Sequence, residues 1–169
     1  MSEFSRIYDA ARLPVGEQRL DASAAECAAL AQRFGLVAVK ALSAGVTLLA
    51  DGPTVRAKGM VSADVVQSCA VSGEDLPVSI KEALSLHFVP PADSPVREEE
   101  IELEADELDE IEMDGTRFDL GEAVAQTLAL AIDPYLEGHG AAEARRKAGI
   151  VSEGQSGPLA DALKGLLKD

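Results

Sequence analysis

An alternation of apolar and polar residues from position 55 to position 65 is the feature that most constrains the fold of this chain. Small or β-branched apolar residues occupy every second position, and mostly polar or charged residues stand between them. Successive side chains of a β-strand point to opposite faces, so this period of two predicts a long strand with one buried and one solvent face. The apolar residues of the pattern are Val55, Ala57, Gly59, Val61, Ala63 and Val65.

Further strands are predicted on both sides of this one. β-branched residues accumulate over 36–47, with Gly45 read as a turn or bulge, and a tight-turn signal follows at 51–53. A second loop at 72–75 leads into another alternating stretch over 80–88, which two consecutive prolines end. The chain is therefore expected to build its core mainly on a sheet.

Two amphipathic helices are predicted from their start and stop signals. Ser23 and Glu26 form a capping box, and the helix that they open ends at Gly35. Asp119 is placed as the N-cap of the second helix, with Glu122 at the third helical position reaching back to it. Each helix has an apolar stripe, so we expect both to pack on the sheet.

These elements together predict an α+β fold. We expect an antiparallel sheet of about five or six strands, either open or curled toward a barrel, with the two main helices packed on it. The length of 169 residues is close to that of one ordinary domain, which we assign to residues 1–151. Residues 152–169 are expected to form a linker and a short amphipathic tail, loosely docked on the body or on a partner.

The acidic charge of the chain is concentrated in one segment. Thirty acidic residues against fifteen Lys and Arg give a formal net charge of −15, which disfavours a global electrostatic grip on nucleic acid. Eleven of the seventeen residues from Glu98 to Asp114 are acidic, and none is basic. Glutamate alternates with apolar residues over 100–104, which predicts a strand with a row of carboxylates facing water.

Two interpretations of this acidic segment stay open. It is either a solvated face that keeps the chain soluble and blunts a sheet edge, or a surface that docks a basic protein. The candidate docking residues are Glu98, Glu99, Glu100, Glu102, Glu104, Asp106 and Glu107.

The sequence offers little for catalysis or for cofactor binding. The two cysteines, Cys27 and Cys69, are not at ligand spacing, and no phosphate-binding glycine loop, nucleophile elbow or HExxH motif is present. We expect no catalytic residue, no metal site, no cofactor and no small-molecule substrate. The longest apolar stretch without charge, 41–50, is about half of what a membrane span needs, so we expect a cytoplasmic protein without a membrane role.

Residues 63–74, residues 88–90, the acidic run 98–108 and residues 118–130 together resemble the YceD family. This family is described as large ribosomal RNA subunit accumulation proteins of bacteria and chloroplasts. The tail at 157–159 is similar to that of the alphaproteobacterial branch. The residues of the motif that we single out, and interpret as structural, are Asp64, Cys69, Asp119, Leu120 and Glu122.

The cysteines of the family are only partly present here. Many members carry Cys-x-x-Cys at the position of Cys69 and a second cysteine cluster after the last helix. In this chain Ser72 stands where the second cysteine of the first pair would be, and no cysteine follows Asp133. A metal site of other members therefore cannot be carried over, and we interpret Cys69 as a small buried residue.

The resemblance implies a role in the accumulation of large-subunit ribosomal RNA. We expect a non-enzymatic ribosome-biogenesis factor that binds basic ribosomal or assembly proteins through its acidic strand. The alternative is direct contact with ribosomal RNA through a local basic face that carries Arg56, Lys58 and Lys81.

Overall fold

The computed structural model describes residues 2–91 and 109–150. Within these ranges the helices and strands confirm the α+β class. In chain order they are β1 (Ile7–Asp9), a short 3-10 turn (Ala10–Arg12), β2 (Glu17–Asp21), α1 (Ala24–Phe34), β3 (Ala38–Asp51), β4 (Thr54–Ser68), β5 (Asp75–Val89), β6 (Asp109–Glu112), β7 (Arg117–Asp119), α2 (Leu120–Ala131) and α3 (Ala141–Lys147). The described residues form two compact units, the first from 2–67, 77–91 and 109–133 and the second from 68–76 and 134–150.

A five-stranded sheet in the order β2-β3-β4-β5-β6 is the centre of the first unit. β3 is antiparallel to both β2 and β4. β5 runs antiparallel to β4, since Asp64 contacts Ser79 while Thr54, earlier in β4, contacts His87, later in β5. A separate two-stranded sheet pairs β1 with β7.

The last strand of the main sheet corrects the prediction of a purely antiparallel sheet. β6 pairs with β5 in parallel, from Leu86 opposite Asp109 to Val89 opposite Glu112. A parallel neighbour needs a connection of about a dozen residues or more, and residues 90–108 supply that length. The barrel-like alternative is wrong as well, because β2 and β6 are the outer strands and no described pairing joins them.

One face of this sheet carries the core. Along β4 the side chains of Val55, Ala57, Val61, Ala63 and Val65 are buried, whereas the residues between them are exposed or half-buried, which confirms the alternation predicted from the sequence. Buried residues of both α1 and α2 belong to the same core cluster. Both helices therefore cover this face, and no described helix covers the opposite face of the sheet, which we call the open face.

The ends of the two helices follow the predicted signals. At the start of α1, Ser23 accepts a hydrogen bond from the Glu26 backbone N–H while the Glu26 carboxylate accepts one from the Ser23 N–H, so the capping box is confirmed. The helix ends at Gly35, whose φ of 65° suits glycine. Asp119 caps α2 by accepting from the Glu122 N–H at 3.1 Å, as predicted.

Gly45 does not form the predicted turn or bulge. β3 passes straight through it, with Arg19 of β2 and Met60 of β4 as its neighbours, and the register shift of this strand lies between Val39 and Ala41. A Cβ atom at Gly45 would lie 2.5 Å from the Glu17 carboxylate. Gly45 is thus a residue of a continuous strand rather than a turn, and the Glu17 carboxylate, at the end of a flexible and exposed side chain, does not by itself require a glycine there.

The second unit is built around the connection from β4 to β5. The Cys69 N–H donates to the Glu74 carbonyl at 2.7 Å, and the Ala70 N–H donates to the Leu136 carbonyl at 2.9 Å. α3 follows, and its basic side chains pair locally, Arg145 with Glu137 and Lys147 with Glu143. The predicted linker and tail at 152–169 lie outside the described residues.

Candidate functional site

The described end of the acidic segment is an edge strand with exposed carboxylates. Ile111 is half-buried against the core and Met113 is only 4% exposed, so these two apolar residues attach the strand to the first unit. The Met113 N–H also donates to the Val89 carbonyl at 2.8 Å. The side chains that remain exposed beside these anchors are those of Asp109, Glu110, Glu112 and Asp114.

The candidate docking residues named from the sequence lie upstream of this strand. Glu98, Glu99, Glu100, Glu102, Glu104, Asp106 and Glu107 all fall outside the described residues. Within the acidic segment the structure describes β6, whose four residues pair in register with β5 at the edge of the main sheet.

Three basic residues named for the alternative function lie together on the open face. Arg56 and Lys58 are exposed on β4 and Lys81 is exposed on β5, and all three alternate with core residues of their strands. Arg56 forms an ion pair with Asp51 at 2.5 Å. Within the described ranges neither Lys58 nor Lys81 has a carboxylate within ion-pair distance.

A shallow depression of about 150 Å³ lies on the open face beside Lys81. Most of the residues that line it are small, among them Ser43 and Ser62. Asp64, a residue of the family motif, lines the same depression and accepts a hydrogen bond from Ser79 at 2.5 Å. Asp64 is therefore hydrogen-bonded to the neighbouring strand β5. Its carboxylate and the Lys81 side chain line the same depression.

The motif residues at the start of α2 join three parts of the first unit. Besides capping the helix, Asp119 accepts from the Arg6 N–H at 2.7 Å and from the Ser5 hydroxyl at 2.6 Å. Leu120 is fully buried in the core. The Glu122 carboxylate does not reach back to the cap as predicted; it binds Arg33 of α1 through both oxygens.

The carboxylates with the most strongly lowered pKa are each held by an arginine. Hydrogen bonds from Arg33 lower the pKa of Glu122 to about 2, and hydrogen bonds from Arg6 lower the pKa of Glu26 to about 2. A carboxylate that stays ionised in an ion pair is a poor general acid or base at neutral pH. These two pairs therefore stabilise the fold and have no property that points to catalysis.

Cys69 is buried in the second unit and surrounded by backbone amides. Its Sγ atom accepts from the N–H groups of Ser72 and Gly138, each at 3.3 Å, and the residue is 4% exposed. These hydrogen bonds, that from Gly138 first, lower the pKa of the thiol to about 7. The sequence did predict a buried residue here, but not the amide contact from a segment 69 residues further along the chain.

Sequence reasoning missed Arg33 as the partner of Glu122. A local signal for close packing at the start of α2 is Gly121. A glycine in the first turn of a helix often marks a place where another backbone segment passes too close for a Cβ atom. A Cβ atom at Gly121 would collide with the Phe4 carbonyl oxygen and lie 2.8 Å from the Arg6 nitrogen. The N-terminal segment thus passes directly over the start of α2.

The described residues contain neither a cluster that could hold a metal ion nor a helix that could cross a membrane. No group of three or more His, Cys, Asp or Glu side chains is arranged to hold a metal ion in the described ranges. Of the helices that the structure describes, none combines the length and the apolar character that crossing a membrane requires.

Comparison with protein families gave one match. The family model described as Large ribosomal RNA subunit accumulation protein YceD matches residues 57–154, which is more than half of the 169 residues of the chain. Comparisons with curated proteins and with solved structures gave no match.

Proposed function

The chain belongs to the YceD family of large ribosomal RNA subunit accumulation proteins, and from this premise we propose that it is a non-enzymatic ribosome-biogenesis factor that binds a basic protein. The family description supports a role in the accumulation of large-subunit ribosomal RNA. In this proposal the chain acts in the cytoplasm on a ribosomal or assembly protein, and it takes no cofactor and no small-molecule substrate.

The observation that carries the proposal is the attachment of acidic residues to the edge of the main sheet. Glu110 and Glu112 are two positions apart on β6, so their side chains are about 6.6 Å apart. That spacing is shorter than the Debye length of about 8 Å in physiological salt. Each such pair repels by about 0.6 kcal/mol at the dielectric constant of water. A cationic partner would relieve this repulsion.

The concentration of charge supports the same choice of partner. Eleven acidic residues lie between Glu98 and Asp114, and the rest of the chain has a net charge of only −4. Docking through residues 98–107 extends the surface that β6 begins and includes the seven candidate docking residues. We propose a ribosomal or ribosome-assembly protein as this basic partner, because the family description concerns large-subunit ribosomal RNA.

A charge-reversal experiment tests the proposal. The first variant combines Asp109→Lys, Glu110→Lys and Glu112→Lys, and the second combines Lys substitutions at Glu98, Glu99, Glu100, Glu102 and Glu104. Each tagged protein is recovered from cells, and the attached proteins are identified by mass spectrometry. We expect both variants to lose ribosomal or assembly proteins that the wild-type chain recovers.

The matched control reverses three exposed carboxylates elsewhere, with Glu17→Lys, Asp75→Lys and Glu143→Lys. This control changes the net charge as much as the β6 variant does. We expect it to recover the same partners as the wild-type chain. Recovery of the same partners by both acidic-segment variants would overturn the proposal.

The open face favours a second candidate function, direct contact with ribosomal RNA. Arg56, Lys58 and Lys81 share this face, and the two lysines have no described carboxylate partner. Each phosphate contact contributes about 0.7 to the slope of log affinity against log salt for single-stranded nucleic acid. Purified chain should then bind large-subunit ribosomal RNA at low salt, and Arg56→Ala with Lys58→Ala should weaken binding and reduce the slope.

The control for this second function is Arg12→Ala with Arg117→Ala, which removes two exposed cations that lie outside the main sheet. The control should bind RNA as the wild-type chain does. Absence of binding at low salt, or an equal loss in both double variants, would rule out a specific contact through the open face.

A further inference from the structure

A groove lies between β5, the start of β6 and the last turn of α2. Its volume is about 270 Å³, which corresponds to roughly nine water molecules at about 30 Å³ each. Leu84 and Leu86, which are 2% and 6% exposed, form one side. Leu130 and Ala131 of α2 form the other, and Leu130 is 82% exposed although it is a large apolar residue. The groove therefore has room for an aliphatic side chain beside these apolar residues, and its other lining residues include Glu82, Ser85, Asp109 and Thr127.

The charges around the groove are negative. Glu82 and Asp109 line it, and the described lining residues include no Lys or Arg. The last turn of α2 also contributes to the wall, and no basic residue lies in that turn. Unpaired carbonyl groups give a helix C-terminus a partial negative charge. All of these groups attract a cation to the rim of the groove.

Among the described residues, β5 also has an edge that no other strand pairs, and we call this stretch, residues 77–85, the free edge. β5 pairs with β6 over residues 86–89. Over residues 77–85 no described strand pairs with the same edge. Unpaired N–H and C=O groups of a sheet edge are able to accept a further strand, with affinity from main-chain bonds and specificity from side-chain pockets.

We propose that this groove and the free edge of β5 bind an extended basic segment of the partner protein. One aliphatic side chain of that segment enters the groove, and its flanking Lys or Arg side chains lie beside Glu82 and Asp109. This inference rests on the proposed function, because it names the chemistry of the partner at the surface where β6 begins. Two observations argue for this occupant. Glu82 and Asp109 complement basic side chains, and the leucines of the groove lie beside the free edge that would bind the backbone of the segment.

The test uses the full chain and two short fluorescent peptides. In the first peptide Lys alternates with Leu and Val, and in the second the Leu and Val are replaced by Ser, so the charge is unchanged. Fluorescence anisotropy should give a dissociation constant for the first peptide that is at least tenfold lower. Binding of the first peptide should also slow hydrogen exchange at backbone amides of residues 77–85.

Two single variants separate the groove from the rest of the surface. Leu130→Ser should weaken binding of the first peptide about tenfold, the change that loss of about 1.4 kcal/mol of apolar contact produces. Leu49→Ser removes a comparably placed apolar residue, 55% exposed, from the open face and should leave binding unchanged. Both residues are exposed, so neither substitution is expected to unfold the chain.

The outcomes distinguish this inference from the proposed function. Suppose that Leu130→Ser binds the first peptide and recovers cellular partners as the wild-type chain does, while the β6 charge-reversal variant loses those partners. The groove is then not the contact, and the proposed function stands. Equal affinity for the two peptides would likewise contradict binding of an aliphatic side chain in the groove.

If the first peptide binds only after deletion of residues 98–108, the occupant is the chain's own acidic segment. If Leu130→Ser abolishes self-association in sedimentation, the occupant is a second copy, and either result overturns the proposal.

Discussion

Arg33 on α1 and Glu122 on α2 form a two-point ion pair, with Nη2 2.6 Å from Oε1 and Nη1 2.8 Å from Oε2. The same guanidinium donates to Glu3 at 2.9 Å, so one side chain joins both helices and the N-terminal segment. The ion pair is partly accessible to water, with 32% of the Arg33 and 24% of the Glu122 side chain exposed. Its contribution is therefore smaller than that of a dry pair.

Glu122→Gln should lower the free energy of unfolding at neutral pH by about 1–2 kcal/mol, since it removes a charge-assisted bidentate pair. The pKa of Glu122 is lowered from 4.5 to about 2 in the folded chain. Its contribution is thus complete above the unfolded value and disappears as the pH falls toward the folded value. Urea unfolding should show the two proteins converging below about pH 4.

The control for this experiment is Glu143→Gln, which removes an exposed ion pair with Lys147 inside α3. Such i,i+4 pairs contribute only about 0.3–0.5 kcal/mol. A wild-type advantage over Glu122→Gln that is the same at low and neutral pH would contradict the role assigned to the Arg33 pair.

Asp119→Ala should destabilise the chain more than a simple helix cap does. Loss of an N-cap costs about 1 kcal/mol, and Asp119 also accepts bonds from Arg6 and Ser5. We expect a loss of about 2–3 kcal/mol, because the half-buried Arg6 N–H and the exposed Ser5 hydroxyl lose their acceptor as well. Ser23→Ala, which removes the cap of α1, is the comparison, and equal losses in thermal unfolding would contradict the prediction.

Gly121→Ala should destabilise the chain although alanine is the better helix former. In an open helix this change would add about 0.5–1 kcal/mol of stability. Here the new Cβ would meet the backbone of Phe4 and Arg6, so we expect a loss of about 1–3 kcal/mol. Gln126→Ala, at an exposed position of the same helix, should change the stability by less than about 0.5 kcal/mol. Denaturant unfolding measures both, and a more stable Gly121→Ala protein would show that the N-terminal segment does not pass over the helix.

Cys69 should make stability depend on pH above neutrality. Its pKa is lowered from 9.0 to about 7 in the folded chain, so between these values the folded state has already released a proton that the unfolded state still holds. Stability should therefore rise with pH across this window and lose this contribution below it. Cys69→Ser should remove the rise, as followed by urea unfolding between pH 7 and pH 9.

Cys27→Ser is the control for the Cys69 experiment. Burial raises the pKa of the Cys27 thiol, so this cysteine cannot produce a rise of stability in the same window. The rise should therefore persist in Cys27→Ser. A thiolate absorbance titration of that variant should follow Cys69 alone, and a midpoint near the ordinary thiol value would contradict the assigned amide contacts.

Local signals predicted the elements of this chain well. The alternation around Val61 predicted β4, the Ser23 and Glu26 pair predicted the start of α1, and Asp119 predicted the start of α2. The expectation for Gly45 failed because β3 continues through this residue and pairs there with both β2 and β4. The parallel placement of β6 was not predicted either, since the sequence does not state which neighbour a strand returns to.

The sequence by itself determined the long strand β4, the starts of α1 and α2, how acidic the chain is and which family it belongs to. These features depend on residues within a few positions of one another or on composition, and the geometry of a single strand or helical turn relates them directly. Tertiary structure alone decided that Glu122 meets Arg33, that β6 pairs with β5 in parallel, and that a groove opens beside Leu130. The physical reason is distance along the chain: residues such as Arg33 and Glu122, 89 positions apart, meet only when the whole core has packed.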